Sequence, residues 1–157
     1  MDQIIGTWRL VDWTASIDGV VTRPFGGSAE GLLTYTADRR MWATLQRRDR
    51  ARLGTPTLAA ATARQRAAAA AGFVSYAGRY TVNGDSVVVH HVEVSLFPDW
   101  VGDDQMRYVE WEDGDLVLST PPATTSTGRV VVNRLRWRRD GVIAERTVPP
   151  DPRPRRR

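Results

Sequence analysis

From residue 73 onward the chain is a succession of short strand-like blocks cut by turn residues, and this punctuation restricts its fold more than any other feature. Blocks at residues 73–82, 87–96, 105–111, 116–120 and 130–138 are separated by Asn83-Gly84-Asp85, Pro98-Asp99, Glu112-Asp113-Gly114-Asp115 and Pro121-Pro122. These connectors are too short for crossovers, so consecutive strands must lie antiparallel and side by side. Upstream, "GTWRLVDWTAS" runs into an Asp18-Gly19 turn and predicts a hairpin; residues 32–36 and 41–45, joined through Asp38-Arg39-Arg40, predict a second. Residues 57–71 differ in kind. They are dense in alanine, carry one large apolar residue, Leu58, and stop at Gly72, which predicts a single helix with a small-residue docking face. Eight or nine antiparallel strands with one inserted helix make a mainly β fold, and closure into an up-and-down barrel is the arrangement that leaves no exposed edge.

A chain of 157 residues is expected to hold one such domain, over residues 1–147, followed by a Pro/Arg-rich disordered tail at 148–157. Four arginines against Asp151 in the last eight residues account for three of the net four positive charges, so the body is nearly neutral and a nucleic-acid partner is not expected despite the basic pI. No apolar run is long enough to cross a bilayer, and the first residues lack the basic and apolar regions of a secretory leader; the expectation is a cytoplasmic protein without a membrane partner. Cysteine and lysine are both absent, which removes disulfides, thiolate nucleophiles and lysine Schiff bases.

The two histidines, His90 and His91, are adjacent within "VVVHHVEVSL", so one must face inward and the other outward. The set Val88, His90, Val92, Val94 and Leu96 is apolar apart from its histidine, whereas His91 shares a face with Glu93. This places His90 inside as a neutral imidazole able to act as general acid or base, or to orient a ligand oxygen. A register slipped by one residue would instead face the pair His91 and Glu93 into the lumen. A core histidine bonded to a tyrosine or to a backbone group is the structural alternative. Alternation also turns Tyr76 and Tyr80 inward, with Gln105 and Arg107; an inward arginine needs an anionic or carbonyl partner, either a ligand or a carboxylate such as Glu93 or Glu110. Trp42 and Trp100 fall near strand ends, where rings often rim a pocket. No HxH or HExxH spacing suggests a metal, no G-x-S-x-G suggests a hydrolase, and no glycine-rich loop suggests a nucleotide, so no cofactor is expected.

Gly6-Thr7-Trp8, "PFGGSAEGLLTYTADRRM", "SYAGRYTVNGD" and "HHVEVSLFPDWVGDDQMRYVEWEDGDLVLSTPP" together resemble the bacterial and fungal lipocalin-like domain family, from Ile5 to about Trp137. The resemblance implies a calycin-type β-barrel with an apolar lumen holding one small hydrophobic molecule. It also implies that Trp8 closes the barrel floor beneath an arginine of the last strand, Arg136 or Arg138. Arg39-Arg40 stands where a glycine often follows the aspartate, and Val94 stands where a smaller residue is common, which would shrink the pocket if that side faced it.

Two functions fit. The first is a cofactor-independent cyclase, isomerase or dehydratase acting on a natural-product (polyketide-like) intermediate, with His90, Arg107 and Tyr76 as catalytic residues and Trp42, Tyr80, Trp100, Gln105, Glu93 and His91 contacting the ligand. The alternative is a carrier or sensor with the same pocket and no chemistry. The oligomeric state, a homodimer included, is left open.

Overall fold

The computed structural model describes residues 2–141, so the boundary expected at residue 147 and the tail beyond it lie outside the described residues. Ten strands form one antiparallel sheet: β1 Gly6–Ile17, β2 Val20–Thr22, β3 Ala29–Tyr35, β4 Arg40–Arg47, β5 Phe73–Asn83, β6 Val87–Ser95, β7 Asp104–Glu112, β8 Asp115–Ser119, β9 Ala123–Thr124 and β10 Val130–Arg139. The order is β2-β1-β3-β4-β5-β6-β7-β8-β10-β9, and pairing of β1 with β10 closes the sheet on itself. Eight strands thus make the barrel, with β2 and β9 as short additions. The Asp-Gly pairs do what their chemistry allows: Asp18 and Gly19 (φ 50° and 83°) and Asp113 and Gly114 (φ 50° and 83°) take the left-handed conformations of two-residue hairpin turns.

The helix is shorter than its alanine content suggests. A 3-10 turn at Leu58–Ala60 precedes α1, Ala63–Ala71. Thr62 interrupts the two because its hydroxyl accepts from the Gln65 backbone N–H while the Gln65 side chain accepts from the Thr62 backbone N–H, a capping box that starts the helix there. No residue of α1 is buried.

Trp8, 1% exposed, lies at the barrel floor against Trp111, and its indole N–H donates to the Ile4 carbonyl at 2.8 Å. The arginine above it is Arg139, whose guanidinium sits 4.2 Å from the ring centroid and donates to the Ile5 carbonyl. Neither Arg136 nor Arg138 takes that place. Both alternate with the inward-facing Trp137, so they project outward and bind the buried carboxylate of Asp115.

On β6 alternation holds as far as Val92 and then fails. Val88, His90 and Val92 are buried, but Val94 and Leu96 are 62% and 45% exposed. Ala77 pairs with Val94 while Gly78 pairs with Val92, so Glu93 is an extra residue, a β-bulge that reverses the facing of everything after it. Gly78 allows it: a Cβ there would stand 1.9 Å from the His91 carbonyl oxygen. Val94 therefore takes no volume from the interior.

Candidate functional site

Large side chains around Trp8, Tyr35 and Tyr80 pack one end of the barrel; beyond them the lumen holds a cavity of about 430 Å³. Its walls are mostly apolar, with Leu33, Ala43, Leu45, Val74, Leu118 and Leu135 and the rings of Trp13, Trp100 and Trp137. Exposed residues on the lining, Asp104 at the start of β7 and Pro122 and Ala123 after β8, locate where it meets solvent. Asn133 and Thr120 lie on the wall too; the Asn133 amide oxygen accepts from the Trp13 indole N–H at 2.9 Å. Trp137 lines the cavity, and its buried indole N–H has no acceptor among the described residues.

The remaining polar groups are His90 and Tyr76 with Arg107 and Gln105. Hydrogen bonding occupies both nitrogens of His90: the Tyr35 hydroxyl is 2.6 Å from Nε2 and the Tyr76 hydroxyl 3.0 Å from Nδ1. Burial, and then the positive charge of Arg107, hold His90 well below the ordinary histidine range, so the ring is neutral and carries one N–H. Burial raises both phenols above their usual value, while Arg107 pulls the other way. All three groups are therefore uncharged near neutral pH.

Satisfiability sets the direction of this chain. Tyr35 is fully buried and its hydroxyl has no other partner among the described residues. Were Nε2 protonated, the Tyr35 proton would be stranded, at a cost of about 1–3 kcal/mol. With the proton on Nδ1, Tyr35 donates to Nε2, Nδ1–H donates to the Tyr76 oxygen, and the Tyr76 proton is left to turn toward the cavity. The wall thus presents a hydrogen-bond donor.

Arg107 donates to the Met106 carbonyl at 2.7 Å and to the Gln105 side-chain oxygen at 3.2 Å, both neutral acceptors. It pairs with neither Glu93 nor Glu110. Of the other residues singled out in the sequence, Trp100 and Gln105 are on the cavity wall, Trp100 with its edge against Tyr76. Tyr80 is inward but lies in the packed end, donating to the Thr36 carbonyl and stacked edge-on to Tyr35. Three residues are elsewhere. Trp42 is 44% exposed on the outer face, because Met41, Ala43 and Leu45 take the inward positions of β4. His91 points outward between Thr81 and Asp104, and Glu93 is an outer-face partner of Arg40 and Arg79, so the slipped register is not adopted.

Sequence reasoning missed Tyr35, although its alternation with the buried Leu33 was visible. It also missed Trp13 and Asn133, which enter only because β1 and β10 close the barrel.

The sequence matches the family model for a lipocalin-like domain over residues 5–140. It is also 34% identical over 74 residues to the 4'-hydroxy-3'-methoxypropiophenone carrier protein of Aspergillus oryzae (strain ATCC 42149 / RIB 40), a stretch covering 43% of this chain and 67% of that protein.

Proposed function

Because the chain belongs to the lipocalin-like domain family, we propose that it carries a small, largely apolar molecule bearing a hydrogen-bond-accepting oxygen, bound in the barrel cavity and released unchanged. The observation that carries this reading is the combination of an apolar cavity of about 430 Å³ with a polar spot at Tyr76, His90 and Arg107. That volume lies in the ordinary range for pockets that enclose a compact ligand. The Tyr76 hydroxyl supplies a directed donor for a ketone or phenol oxygen, and three tryptophans supply flat apolar contact. The relative named as a carrier of an aryl ketone fits the same chemistry.

Carriage is preferred to catalysis for a specific reason. Both nitrogens of His90 are engaged by tyrosines, so the imidazole has no free lone pair for a substrate proton. One observation favours the second reading, a cofactor-independent isomerase or cyclase: Tyr35, His90 and Tyr76 form a continuous chain along which a proton could pass to a substrate oxygen.

Titration with 4'-hydroxy-3'-methoxypropiophenone, followed by quenching of tryptophan fluorescence, with mass analysis of the recovered ligand, separates the possibilities. Carriage predicts saturable binding, recovery of unaltered ketone, and a loss of about five- to tenfold in affinity for Tyr76→Phe, corresponding to one hydrogen bond of about 1 kcal/mol. Conversion to an isomeric product, lost in Tyr76→Phe, would establish the enzyme reading. Absence of binding by this and other small aryl ketones would refute both.

A further inference from the structure

We propose that the cavity selects its ligand as an oxyanion: an acidic oxygen, of a phenol or enol, enters the site beside Arg107 and Tyr76 and is held there without its proton. This rests on the cavity being the ligand site. The starting point is a charge without a counter-charge. Arg107 is a half-buried residue of the cavity wall, always cationic, and it is held by the Met106 carbonyl, the Gln105 amide oxygen and the Tyr76 hydroxyl, all of them neutral.

Among the described residues, the groups around it come from every adjoining element, and none supplies an anion. On β6, His90 is neutral; on β5 and β3, burial keeps Tyr76 and Tyr35 as neutral phenols against the pull of Arg107. On β8 and β10 the lining residues near the cavity, Leu118, Asn133, Leu135 and Trp137, do not titrate. The one carboxylate on the lining is Asp104 of β7. It is 66% exposed and holds His91 Nδ1 at 2.6 Å on the outer face. Arg107 is therefore the one charge directed at the cavity among the described residues.

An apolar cavity with one fixed cation and one phenolic donor favours the charged form of an acidic ligand over the neutral form. An opposite charge within about 4–6 Å lowers an acid's pKa by roughly 1–3 units, against which the desolvation of the anion works. On binding, the ligand O–H bond breaks, the electron pair stays on oxygen, and the proton goes to bulk water, since His90 is held in its neutral form. The oxyanion then accepts from Arg107 and Tyr76.

The test uses 4-nitrophenol, whose anion absorbs in the visible while the neutral form does not, and its methyl ether, 4-nitroanisole, which cannot ionise. With the full chain, bound nitrophenol should titrate about one unit or more below the free phenol, equivalent to at least about tenfold preference for the anion. The ether should bind at least about tenfold more weakly. Arg107→Met should abolish both differences, and Arg107→Gln serves as the second variant if the first does not fold; the wild-type titration decides the matter even without either. If nitrophenol binds with an unchanged or raised pKa, or the ether binds as tightly, the anion proposal is overturned while the cavity remains the ligand site. If neither compound binds, the cavity reading falls with it.

Discussion

Replacing His90 with Gln tests whether the buried imidazole is neutral because of its surroundings. The ring is 1% exposed, bonded at both nitrogens, and held well below the ordinary value of 6.5 by burial and by Arg107. Protonation would also turn Nε2 into a donor and strand the Tyr35 proton. In the unfolded chain the same side chain titrates near 6.5. Below that pH the unfolded state binds a proton that the native state refuses, so stability is complete above about pH 6.5 and falls as the solution is acidified toward the native-state value. With no proton taken up by the native ring, the loss reaches at most about 2 kcal/mol at about pH 5. For a domain of this size that corresponds to a fall in Tm of about 4–8 °C. Thermal unfolding followed by circular dichroism from about pH 7.5 to about pH 5 should give this slope for the wild type and a flatter one for His90→Gln. The amide can still contact both tyrosines but takes no proton. Other titrating groups are common to both proteins, and the depressed carboxylates of Asp18, Asp38, Asp49 and Asp115 act below their usual 3.8. Parallel curves for the two proteins would refute the neutral, pinned imidazole.

Nitrogen NMR of His90 should report the Nδ1–H tautomer; a proton on Nε2 would reverse the donor direction proposed for Tyr76. Gly78→Ala should destabilise by several kcal/mol, because the added methyl meets backbone rather than a movable side chain; soluble protein with an unchanged Tm would contradict the bulge geometry. Arg139→Ala removes a cation–π contact and hydrogen bonds to Gln3 and Ile5, and should cost about 1–2 kcal/mol in chemical denaturation while leaving ligand affinity unchanged. An effect on affinity larger than that on stability would place the floor within the binding site.

The barrel was readable because its turns are written in Asp-Gly, Asn-Gly and Pro pairs whose backbone preferences are local. His90 was readable for the same reason: alternation needs only neighbours. The bulge was not read, and with it the facing of Val94 and Leu96, although a glycine inside a strand at Gly78 is a recognised sign of close backbone approach. Arg139 was not singled out: the resemblance pointed to Arg136 or Arg138, which flank the inward Trp137, whereas Arg139 lies two residues beyond Trp137 on the same side of the strand. Trp42 was assigned from ring chemistry against the alternation of Met41, Ala43 and Leu45, and alternation prevailed. Trp13 and Asn133 depend on which strands meet across the lumen, which a linear pattern does not contain.

The seam between β1 and β10 joins residues as far as 131 positions apart, as Arg9 and Asp140 are. Until β10 has left the ribosome, β1 lacks its partner along most of its length, and the loop-closure entropy must be overcome before the contacts form. Folding should be slow for a domain of this size, because the contacts that close the barrel join residues so distant in sequence.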